Sequence, residues 1–201
     1  MRLLTIIVVF FPLLLSASIF ELTQIEKEYI KDLPDNSIIA RRFNHFYQFL
    51  YQARSFSVPM KIFKTNLFIN KIIPKNDIGT NEWSSPKEFL IKGSGDCEDY
   101  VIAKYFTLLE LGINENQLFL SVVKVKGEKD FHMILLYLDD FNKIYVLDNL
   151  SWKVVLLKDR KNLIFQYAFN KNNSFILNNN SLIVEKNIKR EEVSLINNLI
   201  L

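Results

Sequence analysis

The stretch Gly93-Ser94-Gly95-Asp96-Cys97-Glu98-Asp99-Tyr100 constrains this chain more than any other, because it holds the only cysteine. Directly after it Tyr100, Val101, Ala103, Lys104, Tyr105, Leu108 and Leu109 recur at helical spacing, and Gly112 stops the run. Gly93 and Gly95 permit a sharp turn where a side chain would clash. Asp96 reads as an N-cap, its carboxylate accepting from the first free helix N–H groups. Cys97 then falls in the first turn, where the helix dipole favours thiolate over thiol. A loop that delivers a lone cysteine to a helix N-terminus meets the needs of a nucleophile. The ordinary role of a lone cysteine is that of a small buried hydrophobe. Asp96, Glu98 and Asp99 count against that role, since an apolar core does not accept unpaired carboxylates. The same carboxylates push a thiol pKa up, so a histidine, a cation or both must offset them.

Residues 1–18 read as an export signal. Arg2 supplies the positive charge, residues 3–15 are apolar apart from Thr5 and Pro12, and Ser16-Ala17-Ser18 offers small residues for cleavage. The run is short for a membrane span, which needs about 20 apolar residues; an uncleaved anchor is the alternative. Export changes the meaning of Cys97: one thiol cannot form an internal disulfide, and an odd cysteine in an exported chain is one to regard as reactive. The remainder reads as one domain over residues 19–170, followed by a loosely packed Asn-rich extension over 171–201. With a net charge of +3, nothing points to nucleic acid.

The order of patterns predicts an α+β fold, with N-terminal helices packed on an antiparallel sheet. Residues 19–56 read as helical, with a break at Pro34 and a cap signal at Asp35-Asn36-Ser37. His45 lies in this region and is expected to carry no chemistry. An amphipathic helix follows Pro59, then a turn-rich loop over 74–81, then a helix start at Ser84-Ser85-Pro86. Trp83 reads as a core residue or a cleft wall. After Gly112 the period changes to that of strands: 118–125, 131–138, 144–149 and a fourth over 152–157, joined by short turns and hence an antiparallel meander. Beyond residue 170, Leu182-Ile183-Val184 reads as an edge strand and 193–201 as a short helix.

A thiolate nucleophile needs a base and an orienter for that base. His132 opens the second strand and Asp148 ends the third. In an antiparallel hairpin the start of one strand lies beside the end of the next, so the two are expected as cross-strand neighbours at one sheet edge. If the Cys97 helix packs across that sheet, its N-terminus faces the same edge. The alternative is a surface histidine and an ordinary Asp-Asn turn.

The segments Trp83-Ser84-Ser85-Pro86-Lys87-Glu88-Phe89-Leu90, Gly93 through Leu108 with the Asp-Cys-Glu-Asp-Tyr block, His132-Met133, Val146-Leu147-Asp148-Asn149-Leu150 and Tyr167-Ala168-Phe169-Asn170 resemble the bacterial transglutaminase-like cysteine peptidases of the LapG type, over roughly residues 38–170. The segment 127–131 departs from that pattern. The resemblance implies a papain-like or transglutaminase-like core and a periplasmic protease, with Cys97 as nucleophile, His132 as general base and Asp148 as orienter. It also implies calcium, with Asp96 and Glu98 as ligands and Asp99 as a further candidate. Calcium would answer the electrostatic problem, because a hard dication takes oxygen ligands. A plain cap for Asp96 and a favourable first-turn charge for Glu98 and Asp99 are the alternatives. Peptidases of this type cut large repeat-containing surface adhesins near the N-terminus and are restrained by an inner-membrane receptor for cyclic di-GMP; no small-molecule cofactor is expected. Two rival functions stay open at this point: acyl transfer to an amine on the same triad, and a non-catalytic calcium-stabilised binding module.

Overall fold

The structure, a computed structural model, describes residues 18–74, 83–179, 181–185 and 191–199. The candidate leader up to residue 17, and most of the turn-rich loop over 74–81, lie outside the described residues. The chain begins with three helices, α1 (Gln24–Lys31), α2 (Asn36–Ala53) and α3 (Val58–Ile69). Thr23 and Glu26 form a capping box at the start of α1. In α2 the buried residues are Ile39, Phe43, Phe46, Leu50 and Ala53, spaced so that one stripe faces the core. Pro59 does not break the third helix, because it lies in the first turn, where a missing N–H costs nothing.

A two-residue strand, β1 (Ile73–Pro74), pairs in parallel with β2 (Ser94–Gly95). Between them lies α4 (Pro86–Lys92), opened by a Ser85–Glu88 capping box and closed by Gly93 at φ 68°. Gly93 is thus needed for its left-handed conformation. Gly95 is needed for space: a Cβ there would lie 2.6 Å from the Asp99 carboxylate and 2.8 Å from the Phe89 ring.

α5 (Cys97–Glu110) runs through the middle of the molecule. Every residue from Asp99 to Leu108 is buried. Helices α3 and α4 pack on one side of it and the sheet on the other, as expected for a helix that is apolar on nearly every face. It ends in a Schellman motif, with Ile113 N–H donating to the Leu108 carbonyl and Gly112 N–H to the Leu109 carbonyl, both at 2.9 Å. Lys61 of α3 donates to the Leu111 carbonyl at 2.7 Å and ties the two helix ends together.

Seven strands follow: β3 (Leu118–Val125), β4 (Phe131–Leu138), β5 (Ile144–Leu147), β6 (Val155–Leu156), β7 (Leu163–Phe169), β8 (Ser174–Asn178) and β9 (Ser181–Val184). They form one antiparallel sheet in the order β6-β5-β4-β3-β7-β8-β9. The expected meander is corrected in two respects. The fourth strand is only two residues long, and β7 fills the slot beside β3, which becomes the central strand. Leu163-Ile164-Phe165-Gln166-Tyr167-Ala168-Phe169 has strand composition, but only the long-range pairing with β3 makes it one. Met133, Leu135 and Tyr137 face the helices in the main core. Ile134 and Leu136 alternate to the opposite face, where Phe119, Val146, Ala168 and Phe175 form a second apolar layer. Within α6 (Glu191–Asn198), Ile196 is buried in the main core.

The tight approach at Gly95 gives a first expectation. Gly95→Ala should destabilise the protein by about 1–3 kcal/mol through overpacking, read as a lower urea midpoint; an unchanged midpoint would show that the site has room to spare.

Candidate active site

The site is assembled at the head of α5. Cys97 is the first residue of that helix and is partly buried. Its Sγ donates to Glu98 Oε2 at 2.9 Å. Burial pushes the thiol pKa up, Glu98 pushes it further, and only the Met133 backbone N–H favours the thiolate. Burial and the adjacent carboxylate thus oppose the helix dipole at this thiol. The Met133 contact puts the sulfur against β4, one residue from His132.

His132 is 8% exposed, and its Nε2 lies 2.9 Å from Asp148 Oδ1. Asp148 directly follows β5, just beyond the last registered pair of the β4–β5 hairpin, Leu135 with Leu147. The expected neighbourhood of the two residues is what the structure has. A carboxylate accepts only, so Nε2 carries the proton and Nδ1 is the ring's basic nitrogen. Asp148 is fully buried. Burial alone would raise its pKa, but hydrogen bonds from His132, Leu150 N–H and Arg160 win and hold it down at about 2.

The loop over 148–151 is fixed from below. Leu150 N–H donates to Asp148 Oδ1 at 2.9 Å, an Asx turn. Asn70 Nδ2 donates to the Asp148 carbonyl at 2.8 Å, and Asn70 and Asn66 both donate to the Ser151 carbonyl at 3.0 Å. Asn66 and Asn70 stand four apart on the buried side of α3. Their spacing among apolar core positions was a readable signal that sequence reasoning missed. Arg160, whose Nη2 lies 2.8 Å from Asp148 Oδ2, carried no such signal. Lys104, two turns beyond Cys97 on α5, is 0% exposed, and its ammonium has no hydrogen-bond partner; its pKa is pushed down to about 7 by burial, with Asp148 opposing.

The acidic residues flanking Cys97 divide in two. Asp99 is turned inward and accepts from Ser84 N–H at 2.9 Å. Asp96 occupies the N-cap position but makes no capping hydrogen bond, which corrects the expected cap; the Asp99 N–H lies near it, outside good geometry, and favours its charged form only weakly. Asp96 is instead raised to about 7, first by burial and then by Glu98, with which it shares a hydrogen bond. The two carboxyl groups offer hard oxygens in a partly buried pocket, which is part of what a calcium ion takes. Among the described residues no group of three or more His, Cys, Asp or Glu side chains converges on one point, so further ligands would have to be carbonyl oxygens or water. Trp83 stacks on Phe169 at 6.1 Å between ring centroids and packs against the main core.

The model of a family described as bacterial transglutaminase-like cysteine proteinase matches residues 58–181. No curated protein matches the chain. The structure is similar to Legionella pneumophila LapG, with a TM-score of 0.70 and 23% identity over 87% of this chain and 93% of that one. Calcium-bound and EGTA-treated forms of that protein match with the same TM-score at 24% identity, the calcium-bound form over 86% of this chain and 98% of its own. The fold is thus the transglutaminase-like one. With a lone cysteine at a buried helix head, a buried histidine–carboxylate pair and a family match over residues 58–181, the chain belongs to the bacterial transglutaminase-like cysteine proteinases and is a cysteine peptidase.

Proposed function

We propose that this protein is a calcium-dependent endopeptidase in which Cys97, His132 and Asp148 form the catalytic triad. The observation that carries the reading is the 2.9 Å contact of His132 with the buried Asp148 carboxylate, with the Cys97 sulfur against the neighbouring Met133 N–H. His132 Nδ1 takes the thiol proton, because Nε2 is committed to Asp148. The sulfur then attacks the scissile carbonyl carbon, and the developing oxyanion meets the Cys97 backbone N–H at the positive end of α5. Collapse breaks the C–N bond. The leaving amine takes the proton from the imidazolium, and a thioester remains on Cys97. Water, deprotonated by His132, attacks the thioester and releases the acid, and the thiol is restored.

Asp96 and Glu98 would hold the calcium ion. When bound, it would neutralise the acidic flank that otherwise keeps the thiol protonated and would fix the Gly95–Cys97 turn. The existence of calcium-bound and EGTA-treated forms of the structurally similar Legionella protein supports this.

The biological reading rests on the resemblance of the motifs. We place the enzyme in the periplasm, exported by its N-terminal segment. Its substrate is the N-terminal region of a large repeat adhesin, and its inhibitor is an inner-membrane receptor for cyclic di-GMP. Cutting the adhesin would release surface attachment.

Three outcomes test this. Purified protein incubated with adhesin N-terminal fragments should give one discrete cut, and Cys97→Ala should reduce it at least about 10³-fold while the protein stays folded; full activity in that variant would end the triad reading. A calcium chelator should suppress the cut and added calcium restore it, and Glu98→Gln should raise the calcium concentration needed; indifference to chelator would remove calcium from the account. Asp148 has a folded pKa near 2, below its ordinary 3.8, so its contribution is present above about pH 4 and is lost as pH falls toward 2. It amounts to about 2 kcal/mol. Urea titrations of the wild type and Asp148→Asn should therefore differ most near neutral pH and converge near pH 2; parallel curves would contradict it.

A further inference from the structure

The Asp148 carboxylate has two sides, and the triad uses only one. Oδ1 faces His132 Nε2 at 2.9 Å and Leu150 N–H at 2.9 Å, while Oδ2 faces Arg160 Nη2 at 2.8 Å. Both partners are largely buried, the Asp148 side chain at 0% exposure and Arg160 at 15%. Arg160 is held by its own surroundings. Its N–H donates to the Leu157 carbonyl at 3.0 Å, its carbonyl accepts from Leu163 N–H at 3.0 Å, and its Nε donates to Asn162 Oδ1 at 3.2 Å. The guanidinium is therefore aimed before it meets the carboxylate.

From this arrangement we propose that Arg160 is a positioning residue of the active site: it fixes the plane of the Asp148 carboxylate and shares that carboxylate's negative charge with His132. The proposal rests on the triad reading and deepens it. A buried carboxylate whose only charged partner is a histidine stabilises the protonated ring strongly. An arginine is always charged, so a pair of Asp148 with Arg160 is close to neutral, and the imidazole sees a weaker field. The ring can then take a proton from the thiol and give it up again to the leaving amine, which is what a general base and acid must do.

Other charged groups act on the same ring or its partner from the elements packed around it. From α5 come Lys104, buried and coupled to Asp148, and the thiol of Cys97, with Glu98 and Asp96 behind it. Lys104 acts in the same sense as Arg160, and the two carboxylates in the opposite sense. Among the described residues Arg160 is the one arginine or lysine paired directly with the carboxylate, so its removal should dominate.

The chain holds two histidines, and His45 lies exposed on α2, so a ring titration by NMR has an internal control. In the full-length protein with calcium present, Arg160→Gln, which keeps a donor and removes the charge, should raise the His132 midpoint by about one pH unit and leave His45 unmoved. Arg160→Lys should restore most of the shift. In turnover, at least one limb of the pH–rate profile should move to alkaline pH and neither to acid. A His132 midpoint that is unchanged or lower, or reduced activity with both limbs in place, would overturn the proposal and leave Arg160 a structural ion pair. Should Arg160→Gln fail to fold, Arg160→Met keeps the apolar stem and carries the same expectation; failure of both to fold also decides for a structural role. The ring titration needs no turnover, so it stands or falls separately from the peptidase reading.

Discussion

A carboxylate sealed from water organises the active end of this molecule. Asp148 is fully buried, and a buried carboxylate is costly unless every lone pair is met. Here they are met from three parts of the chain, His132 on β4, the Leu150 N–H of its own turn and Arg160 beyond β6, while the Lys104 charge on α5 acts at longer range. The backbone carrying it is held by Asn66 and Asn70 from α3. Because the cost of an unmet partner is high, each of these elements is fixed relative to the others. The imidazole is thereby presented in one tautomer and one orientation.

The second organising element is α5. Buried on nearly every face, it cannot slide without disturbing the helices above it and the sheet below it. Its first residue is Cys97, so the packing of the core sets the position of the sulfur. The two glycines before it serve different needs, Gly93 a left-handed turn and Gly95 the passage of Asp99 and Phe89. Rigidity of this kind is what a nucleophile needs when it must meet a base supplied by a distant strand.

The electrostatics at that helix head run in opposite directions. The helix dipole favours a thiolate, yet burial and Glu98 favour the thiol, and burial and Glu98 also push the Asp96 pKa up. A positive charge placed between those two carboxylates would resolve both tensions together. Capping does not account for the acidic flank, since Asp96 sits at the cap position without making the capping bond.

Much of the site was legible in the linear chain, and its limits are physical. Local rules identified Cys97 at a helix start, because glycine turns, N-caps and helical periodicity act over a few residues. A hairpin rule joined His132 to Asp148, because short connections force antiparallel neighbours. Those same rules could not find β7, whose strand character depends on β3 lying beside it, nor Arg160, whose role depends on a turn bringing it back across β6. The upward push of the carboxylates on Cys97 was readable, but the part that burial plays in it, and the failure of Asp96 to cap, were not. The sequence determined which side chains could do the chemistry and which local elements carry them. Only the tertiary structure decided which of them share one low-dielectric space, because burial and charge coupling arise between segments far apart along the chain.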